Sequence, residues 1–91
     1  MLKFKTTNQF ERDYKLVLKQ GRDIAKLQAV MQKLVNQAAL DSRHRDHPLT
    51  GNWKGHRDCH IEPDWILIYR IDMEAQMITF TCTGSHADIF G

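Results

Sequence analysis

Three histidines and an aspartate in the second half of the chain carry the side chains that RNA cleavage requires. Cleavage of a phosphodiester by a ribose 2′-OH needs a base for that hydroxyl, an acid for the departing 5′ oxygen and a cation for the charge on phosphorus. Histidine suits both proton transfers because its pKa lies near neutrality. The candidates are His47, His60, His86 and Asp64, with Lys54 and Arg57 as cations. Spacing alone does not bring them together, so surface or structural roles stay open.

Metal binding is the competing chemistry for the histidines. On an extended strand, His56 and His60 would lie about 13 Å apart, too far for one zinc ion with ligand bonds of about 2 Å. His44 and His47 could share a helix face, but Pro48 disfavours a helix there. A zinc site would therefore need residues from distant segments, and we expect no metal and no cofactor.

The hydrophobic pattern of the first half predicts one strand and two helices. Residues 2–6 alternate apolar and polar side chains, as in a short strand. Thr7 or Asn8 can cap a helix whose apolar residues follow 3–4 spacing up to Gly21. Asp23 can cap a second helix that continues to Ala38. The short turn between them predicts an antiparallel helical hairpin.

The second half predicts strands. The runs 53–61, 65–71 and 77–83 are strand-like, with turns at 62–64 and 72–76 and a last half-turn at 87–90. Alternation along the first run places Arg57 on one side and Lys54, Asp58 and His60 on the other. We expect a single α+β domain over residues 1–91. It would comprise an N-terminal strand, the helical hairpin and a three- to four-stranded antiparallel sheet, with the helices on one sheet face.

Charge is distributed unevenly along the 91 residues, whose net charge is +2. Residues 1–45 sum to +6 and residues 46–91 to −4. The helical cations are Lys15, Lys19, Arg22, Lys26 and Lys33. They could hold RNA phosphates without sequence preference, or simply form a solvated face. The longest apolar run, residues 65–69, is far too short to span a bilayer, and no export signal precedes it, so we expect a cytoplasmic protein with no membrane contact.

A family resemblance rests on three segments of the second half. These are DHPLTGNWKG at 46–55, RDCHIEPDWILIY at 57–69 and TGSHADIFG at 83–91. They resemble the YafQ branch of the RelE/ParE toxin superfamily. The first half agrees with that family only in the order and length of its elements.

The resemblance implies a RelE-like fold and a ribosome-dependent mRNA endoribonuclease, the toxin of a bacterial type II toxin–antitoxin pair. Such an enzyme cuts the codon in the ribosomal A site by 2′-OH attack, without a metal. The catalytic set would be His47, His60, Asp64 and His86. Either His47 or His60 would be the base and His86 the acid, with Asp64 orienting a histidine or sharing in proton transfer.

The resemblance also implies partners and further contacts. Phe90 would contact a base or the substrate backbone, although it could equally anchor the C-terminus into the core. Trp65, beside Asp64, would border the site, although it is most simply a large core residue. The partners would be the 70S ribosome with its mRNA and a cognate antitoxin, typically of the ribbon-helix-helix type. Operator DNA would be bound only through the antitoxin complex, with the toxin as co-repressor. The alternative is a non-catalytic protein like the gyrase-inhibiting ParE branch, which would have no need for the histidine set.

The sequence departs from the family at Cys82. Relatives commonly carry an arginine there, four residues before the last motif histidine, where it can stabilise the phosphate in the transition state. Loss of such a cation predicts slower cleavage. Lys54 or Arg57 could compensate, but the strand pattern puts them on opposite faces.

Overall fold

A five-stranded sheet with two helices on one face organises the structure, a computed structural model that describes residues 1–91. The strands are β1 (Lys3–Thr6), β2 (His47–Pro48), β3 (Arg57–Glu62), β4 (Trp65–Asp72) and β5 (Met77–Gly84). The helices are α1 (Asn8–Lys19), α2 (Ile24–Val35) and the short α3 (His86–Phe90). Single 3-10 turns occur at Ser42–His44 and Gly51–Trp53. None of the helices is long and apolar enough to cross a membrane.

The sheet order is β1-β5-β4-β3-β2. Strands β2 to β5 pair antiparallel, as predicted, and β1 joins the edge in parallel with β5, placing Phe4 opposite Ile78. The alternation of residues 2–6 predicts the strand but not its partner. Its partner lies more than 70 residues away, and local pattern carries no information about that pairing.

The helix boundaries follow the capping residues. Thr7 Oγ1 accepts a hydrogen bond from the Phe10 N–H at 2.9 Å, and Asp23 accepts one from the Ala25 N–H at 3.2 Å. Gly21 adopts φ 73° just after α1, which turns the chain into α2. Tyr14 of α1 accepts a hydrogen bond from the Gln28 amide of α2, so the two predicted helices meet as neighbours.

Both faces of the central strand are buried, which explains the apolar run of residues 65–69. The main core packs the helices on one face of the sheet and includes Phe10, Val17, Leu27, Trp65, Leu67, Tyr69 and Phe80. A smaller core on the opposite face comprises Ile66, Ile68 and Cys82, covered by Leu49, Trp53 and Ile89. The second layer holds the segments around β2 and α3 against the sheet.

One predicted strand is shorter than expected. The run that we expected to begin at Trp53 becomes a strand only at Arg57. Gly51 and Gly55 adopt φ 64° and 91°, values that do not belong to an extended strand. The alternation assumed for residues 53–56 is therefore wrong, whereas it holds from Arg57 to His60.

Candidate active site

The candidate catalytic histidines lie on the sheet face that points away from the helices. His47 of β2 pairs with Asp58 of β3, and His60 of β3 pairs with Ile66 of β4. Because cross-strand partners share a face, these side chains lie on the same side of the sheet. A register shift follows between His60 and Glu62, at the turn that leads to Asp64.

The helix α3 brings the last histidine to this group. Ser85 and Asp88 form a reciprocal capping box, which fixes the start of α3 at His86. The His86 ring lies 5.2 Å from the His60 ring, centre to centre. Its Nδ1 is 3.5 Å from Asp64 Oδ1, in the turn between β3 and β4. Residues from three distant segments of the sequence therefore meet at one place.

An open depression of about 640 Å³ marks the site. Its lining residues are Arg45, Asp46, His47, His60 and His86. Asp64 borders it through His86. The four residues that the sequence predicts as catalytic are thus brought together, with Arg45 and Asp46 beside them.

The hydrogen bonds of the rings assign a role to each nitrogen. His47 Nδ1 contacts the Arg45 carbonyl oxygen at 2.7 Å, and His60 Nδ1 contacts the Pro63 carbonyl oxygen at 3.2 Å. A carbonyl oxygen only accepts, so each Nδ1 must carry the proton that it donates. In the neutral ring, Nε2 is then the unprotonated nitrogen, which is the form that a general base needs. His86 differs because its Nδ1 faces the Asp64 carboxylate, an acceptor that orients the ring.

Asp58 is a site residue that the sequence interpretation missed. Its side chain is only 2% exposed and its Oδ1 has no hydrogen-bond partner. Burial raises the pKa of the Asp58 carboxyl, while the positive charges of His47, His60 and His86 act to lower it. The signal was present in the sequence, since strand alternation puts Asp58 on the same face as His60.

The predicted cations Lys54 and Arg57 lie outside the depression. Arg57 is on the helix-facing side of β3, where its Nε is 3.3 Å from Asp46 Oδ1. The same carboxylate oxygen accepts a hydrogen bond from the Tyr69 hydroxyl at 2.6 Å. Lys54 is exposed in the loop after the second 3-10 turn. Arg57 is therefore committed to holding the segment before His47 in place.

The family position Cys82 lies in the smaller core. It pairs across the sheet with Ile68, which pairs in turn with Asp58, so Cys82 is on the same face as the histidines. Its side chain is only 5% exposed. Burial, with the charges of Asp13 and Asp58, raises the pKa of its thiol to about 12. Cys82 and the fully buried Cys59 are free thiols.

The two aromatic candidates occupy different environments. Trp65 is fully buried, and its indole N–H donates to Thr83 Oγ1 at 2.9 Å. Of the two alternatives for Trp65, burial supports the core residue, because no part of the ring is accessible. Phe90 is 44% exposed, with its ring 6.1 Å from that of His86, while its neighbour Ile89 anchors α3. Phe90 thus has the accessible position that a substrate contact needs.

The helical cations form two groups. Arg22, Lys26 and Lys33 line a cleft of about 520 Å³ that also contains Arg43 and ends at Asp64. Lys26 forms an ion pair with Glu62 at 2.9 Å, and this contact raises the Lys26 pKa. The remaining pair, Lys15 and Lys19, lies on α1 along a separate surface. Only the first group is continuous with the candidate site.

The positions of the histidines also bear on metal binding. His44 is buried, and its Nδ1 contacts the His60 carbonyl oxygen at 2.6 Å, so it braces the strand under the site. His56 packs edge-on against Trp53. No group of three histidine, cysteine, aspartate or glutamate side chains is arranged to hold a metal ion.

Comparison with known proteins gives the family. The family model for YafQ, a bacterial toxin of type II toxin–antitoxin systems, matches residues 2–91. The mRNA interferase toxin YafQ of Escherichia coli strain K12 is 44% identical over 86 residues, covering 93% of this chain and 91% of that protein.

Solved structures agree with that match. The crystal structure of YafQ from E. coli strain BL21(DE3) superposes with a TM-score of 0.93 at 40% identity, and that of the E. coli DinJ-YafQ complex with 0.91 at 41%. In both cases the whole of each chain is covered. The two helices, the sheet and the sequence pattern around the histidines therefore have one explanation: the chain belongs to the YafQ family of bacterial toxins of type II toxin–antitoxin systems.

Proposed function

We propose that this chain is a ribosome-dependent endoribonuclease that cuts mRNA at the codon in the ribosomal A site and thereby inhibits translation. The observation that carries the proposal is the convergence of His47, His60 and His86 in one open depression, with Asp64 beside His86. The E. coli relatives named mRNA interferase toxins support it. The antitoxin would silence this activity until it is needed.

The proposed reaction uses two proton transfers. The unprotonated Nε2 of His47 or His60 takes the proton from the ribose 2′-OH, and the 2′ oxygen attacks phosphorus. The bond from phosphorus to the 5′ oxygen breaks, and His86 donates its proton to that oxygen. The products are a 2′,3′-cyclic phosphate and a free 5′-OH. Histidine supplies both transfers, so the mechanism proposed here is metal-free.

Asp64 assists the acid in this mechanism. Its carboxylate faces the Nδ1 of His86 and orients the ring. The side chain of Asp64 is 76% exposed. Solvent therefore weakens the pair, which is consistent with a contact that tightens when substrate covers the site.

The partners follow from the same proposal. The cleft lined by Arg22, Lys26 and Lys33 would hold phosphates of ribosomal RNA or mRNA next to the site. A cognate antitoxin is supported by the E. coli DinJ-YafQ complex. We propose an antitoxin of the ribbon-helix-helix type that contacts operator DNA, with this chain bound to it as co-repressor.

Cell-free translation followed by primer extension on the mRNA tests the proposal. The unaltered chain should produce cuts only when ribosomes are present. His60→Gln and His86→Gln should abolish the cuts, whereas His56→Gln, outside the depression, should preserve them. Intact mRNA in the presence of folded protein would contradict the proposal. If DNA supercoiling were arrested instead, the gyrase-inhibiting alternative would replace it.

A further inference from the structure

We propose that Arg45 supplies the cation that stabilises the phosphate during cleavage. This inference rests on the proposed nuclease function and names a substrate-contacting residue for it. The family pattern led us to expect a missing cation at Cys82. The structure places Arg45, from a different segment of the chain, in the lining of the depression that holds the histidines.

Arg45 lies in the same depression as the candidate catalytic histidines. Arg45 lines the depression together with His47, His60 and His86, and it is the only lysine or arginine that does so. The ion pairs of the structure are Lys26 with Glu62, Arg57 with Asp46 and His86 with Asp64, so the Arg45 guanidinium is not committed to a carboxylate. Its side chain is exposed, and therefore accessible to a substrate.

The other cations near the site are paired with a carboxylate or lie outside the depression. Arg57 is engaged by Asp46 on the opposite face of the sheet. Lys26 is paired with Glu62 in the neighbouring cleft, and Lys54 does not line the depression. Among the residues that border the histidines, Arg45 alone has a permanent positive charge.

The backbone of Arg45 also contributes to the site. Arg45 adopts φ 49°, in the left-handed region, and its N–H donates to the Ser42 carbonyl oxygen at 3.1 Å. Its own carbonyl oxygen accepts from His47 Nδ1 at 2.7 Å. The backbone of Arg45 thus orients a candidate base, while the residue itself is exposed and lines the same depression. A residue other than glycine is strained at this φ, and such strain is often found at functional positions.

The chemistry of the reaction needs this group. Negative charge accumulates on the non-bridging phosphate oxygens as the 2′ oxygen attacks. A guanidinium can donate two parallel hydrogen bonds to two of these oxygens and carries its charge at every working pH. The interaction strengthens as charge develops, so it should act on kcat more than on KM.

Initial rates of cleavage at varied concentrations of mRNA-programmed ribosomes test the role with three variants. Arg45→Gln removes the charge but keeps the backbone contacts, because the His47 bond uses a carbonyl oxygen. We expect kcat to fall about 100-fold, as for the loss of one transition-state donor, with KM within threefold of the unaltered chain. Arg45→Lys should recover at least tenfold over Arg45→Gln. Arg70→Gln, an exposed arginine elsewhere in β4, is the matched control and should cleave normally.

Each outcome decides the inference. If Arg45→Gln keeps kcat within twofold, or raises KM with kcat unchanged, Arg45 is not the transition-state cation. If Arg45→Lys is no better than Arg45→Gln, charge is not what the position contributes. If the unaltered chain does not cleave at all, the proposed nuclease function fails. If it cleaves and Arg45→Gln cleaves equally well, this inference fails alone.

Discussion

Replacing Asp58 by asparagine should stabilise the fold at neutral pH while it impairs cleavage. Asp58 is 2% exposed, and its Oδ1 has no hydrogen-bond partner. Burial raises its pKa and dominates over the attraction of the three histidines, which acts in the other direction. An ionised Asp58 therefore costs folding free energy at neutral pH, and its presence beside the histidines points to a role in their chemistry.

The expected gain in the free energy of unfolding can be estimated from the unpaired Oδ1 of Asp58. A buried polar group without a partner costs about 1–3 kcal/mol, and more when it is charged. Asparagine leaves a neutral acceptor at the same place, so the substitution removes only the part of this free-energy cost that is due to charge. We expect a gain of about 1 kcal/mol in the free energy of unfolding. For a chain of this length, that corresponds to a rise of about 4–8 °C in Tm.

The pH dependence has a definite sign. The ordinary carboxyl value is 3.8, and the folded value lies above it. Between these two values the native state binds more protons than the unfolded state, so stability falls as pH rises through that window. The advantage of Asp58→Asn should therefore be absent below pH 3.8 and complete above the folded pKa.

Urea denaturation at several pH values measures the difference in the free energy of unfolding between Asp58→Asn and the unaltered chain. Asp64→Asn is the matched control, because the same change at a 76% exposed side chain should alter stability by less than about 0.5 kcal/mol. Both variants should cleave mRNA more slowly. If Asp58→Asn were less stable than the unaltered chain at pH 7.5, attraction to the histidines would outweigh burial, and our reasoning about Asp58 would be refuted.

Three further substitutions test the surroundings of the site. Tyr69→Phe removes the 2.6 Å hydrogen bond to Asp46. Because the acceptor is charged, the free energy of unfolding measured by urea denaturation should fall by about 1.5–3 kcal/mol. An unchanged denaturation midpoint would contradict this. Cys82→Arg can extend into the adjoining cavity of about 290 Å³. It should raise kcat less than threefold, and a large gain would show that a cation is missing. Phe90→Ala should slow cleavage at limiting ribosome concentration, because the stacking of a base on an aromatic ring contributes about 1–3 kcal/mol to binding. It should leave Tm unchanged. Normal cleavage by this variant would show that Phe90 makes no substrate contact.

The helices and the central strands could be predicted because their signals are local. Thr7 and Asp23 cap helices whose apolar residues repeat at helical spacing, and the run at 65–69 is apolar on both strand faces. The parallel pairing of β1 with β5 has no local signal. The strand expected from Trp53 failed because Gly51 and Gly55 use positive φ angles that composition alone does not reveal.

The site was predicted by residue type and family pattern more than by spacing. His47, His60 and His86 come from β2, β3 and α3, so only the folded sheet brings them together. Arg45 was missed because it precedes a two-residue strand in a left-handed turn, where periodicity gives no direction to a side chain. Trp65 is the core residue that its place at the start of the apolar run indicates, although its neighbour Asp64 is exposed.

The central claim is that this chain cuts mRNA on the ribosome through a ribose 2′-OH with histidine as base and acid. The most direct measurement uses ribosomes programmed with mRNA whose A-site codon is one that primer extension shows to be cut. One message carries ribose and the other carries 2′-deoxyribose at the cleaved nucleotide. We predict a 2′,3′-cyclic phosphate product from the first message and no cleavage of the second. Equal cleavage of both messages would contradict the account.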